Sequence, residues 1–115
     1  MQSEIDLLLG TEIDSLVKLE ILLYLHQRPG TVGSPQQVAS QIRRDVAEVA
    51  AALEQLSQSE LVERFAFGSG RHIVYGPSED AHVQELLGFL HEQYHAQPEA
   101  RSRIIQRTLG RQRQT

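Results

Sequence analysis

The fold turns on the stretch Ser34-Pro35-Gln36-Gln37-Val38-Ala39-Ser40-Gln41-Ile42-Arg43-Arg44-Asp45-Val46-Ala47-Glu48. Serine followed by proline is a strong helix start. The hydroxyl caps, the fixed φ of proline suits the first helical position, and Gln37 completes a capping box. A second box, Asp45-Val46-Ala47-Glu48, follows within a few residues. The spacing predicts a short helix over 35–42 that buries Val38, Ala39 and Ile42. A second, alanine-rich helix runs from 45 to about 59 and buries Val49, Leu53 and Leu56. Two short helices across a turn of three or four residues form the helix-turn-helix pattern.

Downstream the period changes from helical to alternating. Leu61-Val62-Glu63-Arg64-Phe65-Ala66-Phe67 is rich in strand formers, Gly68-Ser69-Gly70 is a turn, and Arg71-His72-Ile73-Val74-Tyr75 is a second strand stopped by Gly76-Pro77. That is a β-hairpin with a three-residue loop. Ser78 is positioned to cap a further helix to about Ala96, through Val83, Leu86, Leu87, Leu90 and Tyr94. Pro98 starts a last helix to about Arg111, with Ile104, Ile105 and Leu109 on its apolar side. Upstream, a helix from Glu12 to Gln27 carries Ile13, Leu16, Val17, Ile21, Leu23 and Leu25, with Thr11 as its cap and Pro29-Gly30 as its stop. Thr31-Val32-Gly33 is too short for more than a bridge strand.

The chain of 115 residues fits one domain, and 40% apolar content supplies a core. The absence of cysteine excludes disulfides, thiolate metal sites and thiol catalysis. No apolar run is long enough for a membrane span, and Met1-Gln2-Ser3-Glu4 lacks the basic start of a secretory signal, so a cytoplasmic location is expected. Net charge is −4, unusual for a non-specific polyanion binder. It is unevenly spread. Residues 1–63 hold ten acids and four bases, 64–98 four acids and two bases, and 99–115 one acid and five bases.

The order of three helices, a hairpin and a helix resembles a winged helix-turn-helix domain. Leu53-x-x-Leu56 with Glu60-Leu61-Val62-Glu63-Arg64 looks like a recognition helix running into a wing. Gly70-Arg71-His72-Ile73-Val74-Tyr75 is similar to the wing strand of ArsR-type repressors, and Asp80-Ala81-His82-Val83 to the start of their dimerisation helix. The resemblance, to the ArsR/MarR-like superfamily, covers about residues 12–96. It implies a mainly α-helical winged helix-turn-helix with a small β-hairpin wing and extra N- and C-terminal helical segments: an N-terminal arm over 1–11, the winged domain with its dimerisation helix over 12–96, and a basic C-terminal helix and tail over 97–115. It further implies a homodimeric transcriptional regulator, not an enzyme, with 45–59 in the major groove of double-stranded DNA and a wing over 61–76 on the flanking backbone. The residues this assigns to DNA are Gln36, Arg43, Arg44, Glu48, Ala51, Arg64, Arg71 and His72.

The helix assigned to the groove departs from that family. Where donors for base edges are usual it has Asp45, Val46, Ala47, Glu48, Ala50, Ala51 and Ala52. Alanine can touch a thymine methyl and glutamate can accept from cytosine, but donors for purines are missing. The alternative reading is therefore a winged-helix protein-interaction module that does not bind DNA specifically.

His91-Glu92-Gln93-Tyr94-His95 fits the H-E-x-x-H pattern, which puts two imidazoles one helical turn apart. A zinc protease also needs a third ligand and a cleft, which the chain does not offer. Relatives of the resembled family hold zinc between terminal helices through an Asp-x-His pair, and Asp80-x-His82 matches that half. Asp80, His82, His91 and His95 are thus the zinc candidates across a dimer. The plainer reading, adopted here, assigns no cofactor: the histidines are half-exposed helix residues and Asp80 is a favourable first-turn acid. His26 suits the end of its helix and needs no further role. Tyr24, Phe65, Phe67, Tyr75 and Phe89 are expected in the core or at a dimer contact. Leu7, Leu8 and Leu9, with Ile104, Ile105 and Leu109, form apolar patches on terminal segments, for which a second copy of the chain is the simplest partner. The basic tail residues are Arg101, Arg103, Arg107, Arg111 and Arg113.

Overall fold

The computed structural model describes residues 1–110; Arg111 and Arg113, and the expected end of the last helix, lie outside the described residues. The protein is mainly helical with one two-stranded antiparallel hairpin. The elements are α1 (Gln2–Leu8), α2 (Leu16–His26), α3 (Pro35–Ile42), α4 (Val46–Gln58), β1 (Val62–Phe67), β2 (His72–Pro77), α5 (Ala81–Ala96) and α6 (Pro98–Thr108).

The capping chemistry of α3 is realised in full. Ser34 Oγ accepts from Gln37 N at 3.2 Å, and Ser34 N donates to Gln37 Oε1 at 2.9 Å. At α4 only one half of the expected box forms: Asp45 Oδ2 accepts from Glu48 N at 3.1 Å. Between them the chain turns at Arg43, in the left-handed region at φ 60°. Val38 and Ala39 on α3 and Val49, Leu53 and Leu56 on α4 are buried as expected, with Ala52 added, whereas Ile42, at the end of α3, is only half-buried against the core.

Helix α2 is the centre of the molecule. Val17, Lys18, Leu19, Ile21, Leu22, Leu23 and Leu25 are all buried, so it is covered on most sides, leaving the Leu16, Glu20 and Tyr24 face half-buried. It starts later than the Glu12 boundary, and Ser15, not Thr11, caps it. The reason is tertiary. Residues 8–13 form a turn in which Gly10 N donates to Ile13 O and Ile13 N to Leu8 O, so Ile13 enters the core from a non-helical segment.

The hairpin pairs Val62 with Pro77 through Phe67 with His72. Its loop is one residue longer than expected: Arg71 lies in the turn, its N–H bonded to Gly68 O at 3.2 Å. The short Thr31–Gly33 segment makes the expected bridge. Gly33 and Tyr75 exchange N–H···O bonds of 2.8 and 2.9 Å in a single isolated bridge beside β2. Helix α5 is capped by Asp80, not Ser78; Asp80 Oδ1 accepts from Val83 N, while the buried Ser78 hydroxyl accepts from Asp80 N.

The terminal segments are helical, as expected, and they join the core. Residues 1–11, the N-terminal arm, carry α1. Ile5, Leu9 and Ile104 are buried in the same core cluster as α2 and α4, and Leu8 and Ile105 pack against it. Of the terminal apolar patches, only Leu7 is left largely exposed, at 73%. A helix this short gains little from propensity, so its docking on α5 is what holds it. Polar contacts complete that docking: Gln93 donates to Gln2, His82 pairs with Glu4, and Arg107 reaches Asp6.

Candidate nucleic-acid interface

The surface assigned to DNA is built from exposed residues of α3, α4, the turn between them and the hairpin. Gln36 is exposed on the first turn of α3 and borders an open cleft of about 450 Å³ with Thr31, Gln37 and Gln41. The cleft lining contains no carboxylate, imidazole or lysine. On α4 the outward residues are Val46, Ala47, Glu48, Ala51, Glu54, Gln55 and Gln58. Glu48 and Ala51 are therefore exposed as expected, on a face that is acidic and apolar. Ala52, by contrast, is buried and takes no part in it.

The four arginines divide into two pairs. Arg44 is held by Glu20 of α2 in a two-pronged contact, Nε to Oε1 at 3.2 Å and Nη2 to Oε2 at 2.5 Å, with Glu48 at 3.9 Å from Nη1. This hydrogen bond raises the guanidinium's pKa above its ordinary value. Arg64 lies 3.5 Å from Glu54 Oε2, the same oxygen that accepts from the Tyr75 hydroxyl at 3.1 Å. Burial, then the Glu54 bond, pushes the Tyr75 pKa up, so the phenol stays a donor. Glu54 thereby ties α4 to both strands. Arg43 and Arg71 are exposed and, among the described residues, make no ion pair. One sits in the turn before α4 and the other at the hairpin tip.

Beside the tip, His72 stacks on its cross-strand partner Phe67, ring centroids 5.4 Å apart and planes 26° from parallel. Phe67 and Phe65 are 55% and 40% exposed and lie outside the core, so of the two places expected for them, core or dimer contact, the core is excluded; Tyr75 alone of the hairpin aromatics is buried.

The zinc candidates are not brought together within one chain. Asp80 is used as the α5 cap, and His82 pairs with Glu4 at 2.5 Å. His91 begins nine residues further along α5, roughly 13 Å at ~1.5 Å rise per residue. It meets instead a group the sequence reading passed over. His26 has its ring centroid 5.3 Å from that of His91, and His95 lies 4.4 Å from His91 on the other side. Neither this contact nor the carboxylates of Glu20 and Glu54 had a local sequence signal, because each partner comes from a different element.

No helix of the described residues is long and apolar enough to cross a membrane. Compared with models of protein families, with curated proteins and with solved structures, the chain matches none.

Proposed function

We propose that the chain is a winged-helix DNA-binding regulator, with α3 and α4 as the helix-turn-helix and the hairpin as the wing. The observation that carries this reading is the placement of Arg43 and Arg71. They are exposed and, among the described residues, make no ion pair, at the two positions, turn and wing tip, where such a domain meets phosphates. Because α4 offers no donor to a purine edge in its first two turns, the contact is dominated by backbone and groove shape, with weak base discrimination. A homodimer doubles the two cations; Leu7, exposed on α1, is an apolar side chain available to it. The protein acts as a binder and not as an enzyme, inside the cell.

The test is anisotropy of labelled duplexes at low salt, with Arg43→Ala and Arg71→Ala. Each substitution should weaken binding uniformly across sequences and lower the salt slope by about 1. Duplex binding that is absent at low salt, or unchanged in the double variant, overturns the reading.

A second reading, a winged-helix protein-docking module, is favoured by one specific observation. Glu20 and Glu54 already occupy Arg44 and Arg64, leaving α4 with an acidic, alanine-lined face. Ala51→Arg separates the two: it should strengthen contact with duplex DNA and abolish docking of α4 on a protein.

A further inference from the structure

Strand β1 has a free edge. Its inner edge pairs with β2, and the far edge of β2 is taken by the Gly33 bridge. Tyr75 turns its N–H and C=O to Gly33, away from β1, and the residue opposite Tyr75 on β1 is Arg64. Antiparallel pairing alternates, so Val62, Arg64 and Ala66 aim their N–H and C=O groups out of the sheet. Among the described residues none of these groups makes a backbone hydrogen bond outside the hairpin. The strand holds no proline and no lysine, the residues that commonly blunt such an edge. Phe65 and Phe67, two residues apart, leave exposed rings on one face of it.

We propose that β1 pairs antiparallel with β1 of a second copy across a twofold axis, joining the two hairpins into one sheet. A strand edge is its own complement in this arrangement, because each outward N–H meets an outward C=O. Side chains of one face stay together only if the axis passes through a residue. An axis at Arg64 would set guanidinium against guanidinium. An axis at Ala66 would pair only residues 65–67. An axis at Phe65 pairs the strands over 63–67 and lets Arg64 exchange both bonds with Ala66 of the partner subunit. It also gathers the exposed phenylalanines of both copies into one apolar patch. Charge fits the same register, which lays the hairpin tip of one copy beside residues 60–62 of the other. An open cleft of about 590 Å³ borders them, lined by Glu60, Glu63 and Asp80, and its one lining cation, Arg64, pairs with Glu54. Arg71, at the tip, is exposed and makes no ion pair among the described residues. Pairing engages Arg71, so this dimer withholds the wing from phosphate. It does not rest on the DNA reading, and its test uses no DNA.

The experiment follows the untagged full chain by sedimentation velocity over a concentration series. A dimer that assembles at about 10–100 μM is expected, since the contact is small. Ala66→Pro should leave only monomer. It removes an outward N–H, and proline is tolerated on an edge strand where the N–H faces away from the sheet, so the hairpin keeps its own bonds. Arg71→Glu should weaken the dimer about tenfold, and adding Glu60→Arg should restore it. Leu7→Glu should change nothing. The chain has no cysteine, so a single introduced thiol reads the register. Phe65→Cys should form a symmetric disulfide on mild oxidation, because a non-hydrogen-bonded pair brings its Cα atoms to about 4.5 Å. Glu63→Cys should not, its two copies lying roughly 14 Å apart along the strands. A chain that stays monomeric throughout that range, or a dimer lost with Leu7→Glu but kept in Ala66→Pro, overturns the proposal. Cross-linking through Glu63→Cys and not through Phe65→Cys overturns the register.

Discussion

Arg44 and Glu20 are joined by two parallel contacts, 3.2 and 2.5 Å, that tie the turn before α4 to the buried central helix. A guanidinium paired in this fork geometry is a poor phosphate contact until the carboxylate lets go. Glu20→Gln removes the competing charge and keeps the shape. Duplex affinity should rise a few-fold and the salt slope should steepen by about 1, read by anisotropy between low and moderate salt. No change would show that Arg44 is purely structural. Both side chains are about one-third exposed, so the stability loss should stay within about 1 kcal/mol.

Arg43 holds φ 60° at the C-terminal end of α3, a conformation that favours glycine. A side chain kept there against its backbone preference suggests that the side chain is used. Arg43→Gly should raise stability by about 0.5–1 kcal/mol in chemical unfolding and weaken duplex binding at the same time. A gain in stability with unchanged binding would assign Arg43 no functional part.

His82 is paired with Glu4, whose hydrogen bond and charge, together with Asp80 and Glu85, raise its pKa above the ordinary 6.5. A raised imidazole pKa stabilises the folded state below the unfolded value and loses that contribution as pH rises through the folded one. The contact fastens α1 to α5. Thermal melts of the wild type and Glu4→Gln should therefore differ more at about pH 5.5 than at about pH 9. His91, whose pKa is lowered, works in the opposite sense and destabilises the fold as pH falls below about 6.5. It contributes equally to both proteins and cancels in the comparison.

The terminal helices belong to the core. Ile104 is 1% exposed, and Ile104→Ala should cost about 2–5 kcal/mol in chemical unfolding of the isolated chain. Gly10 has φ +91°, and a Cβ there would stand 2.9 Å from Arg107 O, a backbone atom that cannot yield cheaply. Gly10→Ala should therefore destabilise by more than the about 1 kcal/mol that an ordinary glycine substitution changes. If either variant left the unfolding midpoint unmoved and altered only self-association, the terminal segments would be arms after all.

Local chemistry was legible in proportion to how local it is. Ser34, Pro35 and Gln37 announce α3 because all three partners lie within one turn, and each bond forms as their spacing implies. Alternation in 61–75 announces the hairpin for the same reason, although its loop gains Arg71. The sequence places the start of α2 at Thr11 and Glu12, one turn before Ser15, which caps the helix in the structure. The choice between them falls to the turn at Gly10 and to Ile13, which is buried outside the helix.

Taken alone, the sequence determined the order and period of the elements, the buried faces of α3 and α4, and the shortage of base-reading donors on α4. The tertiary structure alone decided which charges remain free. Glu20 pairs with Arg44 and Glu54 with Arg64, and among the described residues Arg43 and Arg71 make no ion pair. It also decided that α1 and α6 close the core and that His26 joins His91 and His95. The physical reason is range. Periodicity and capping act within a turn or two of chain, whereas ion pairs, ring contacts and burial act between surfaces that only packing brings together.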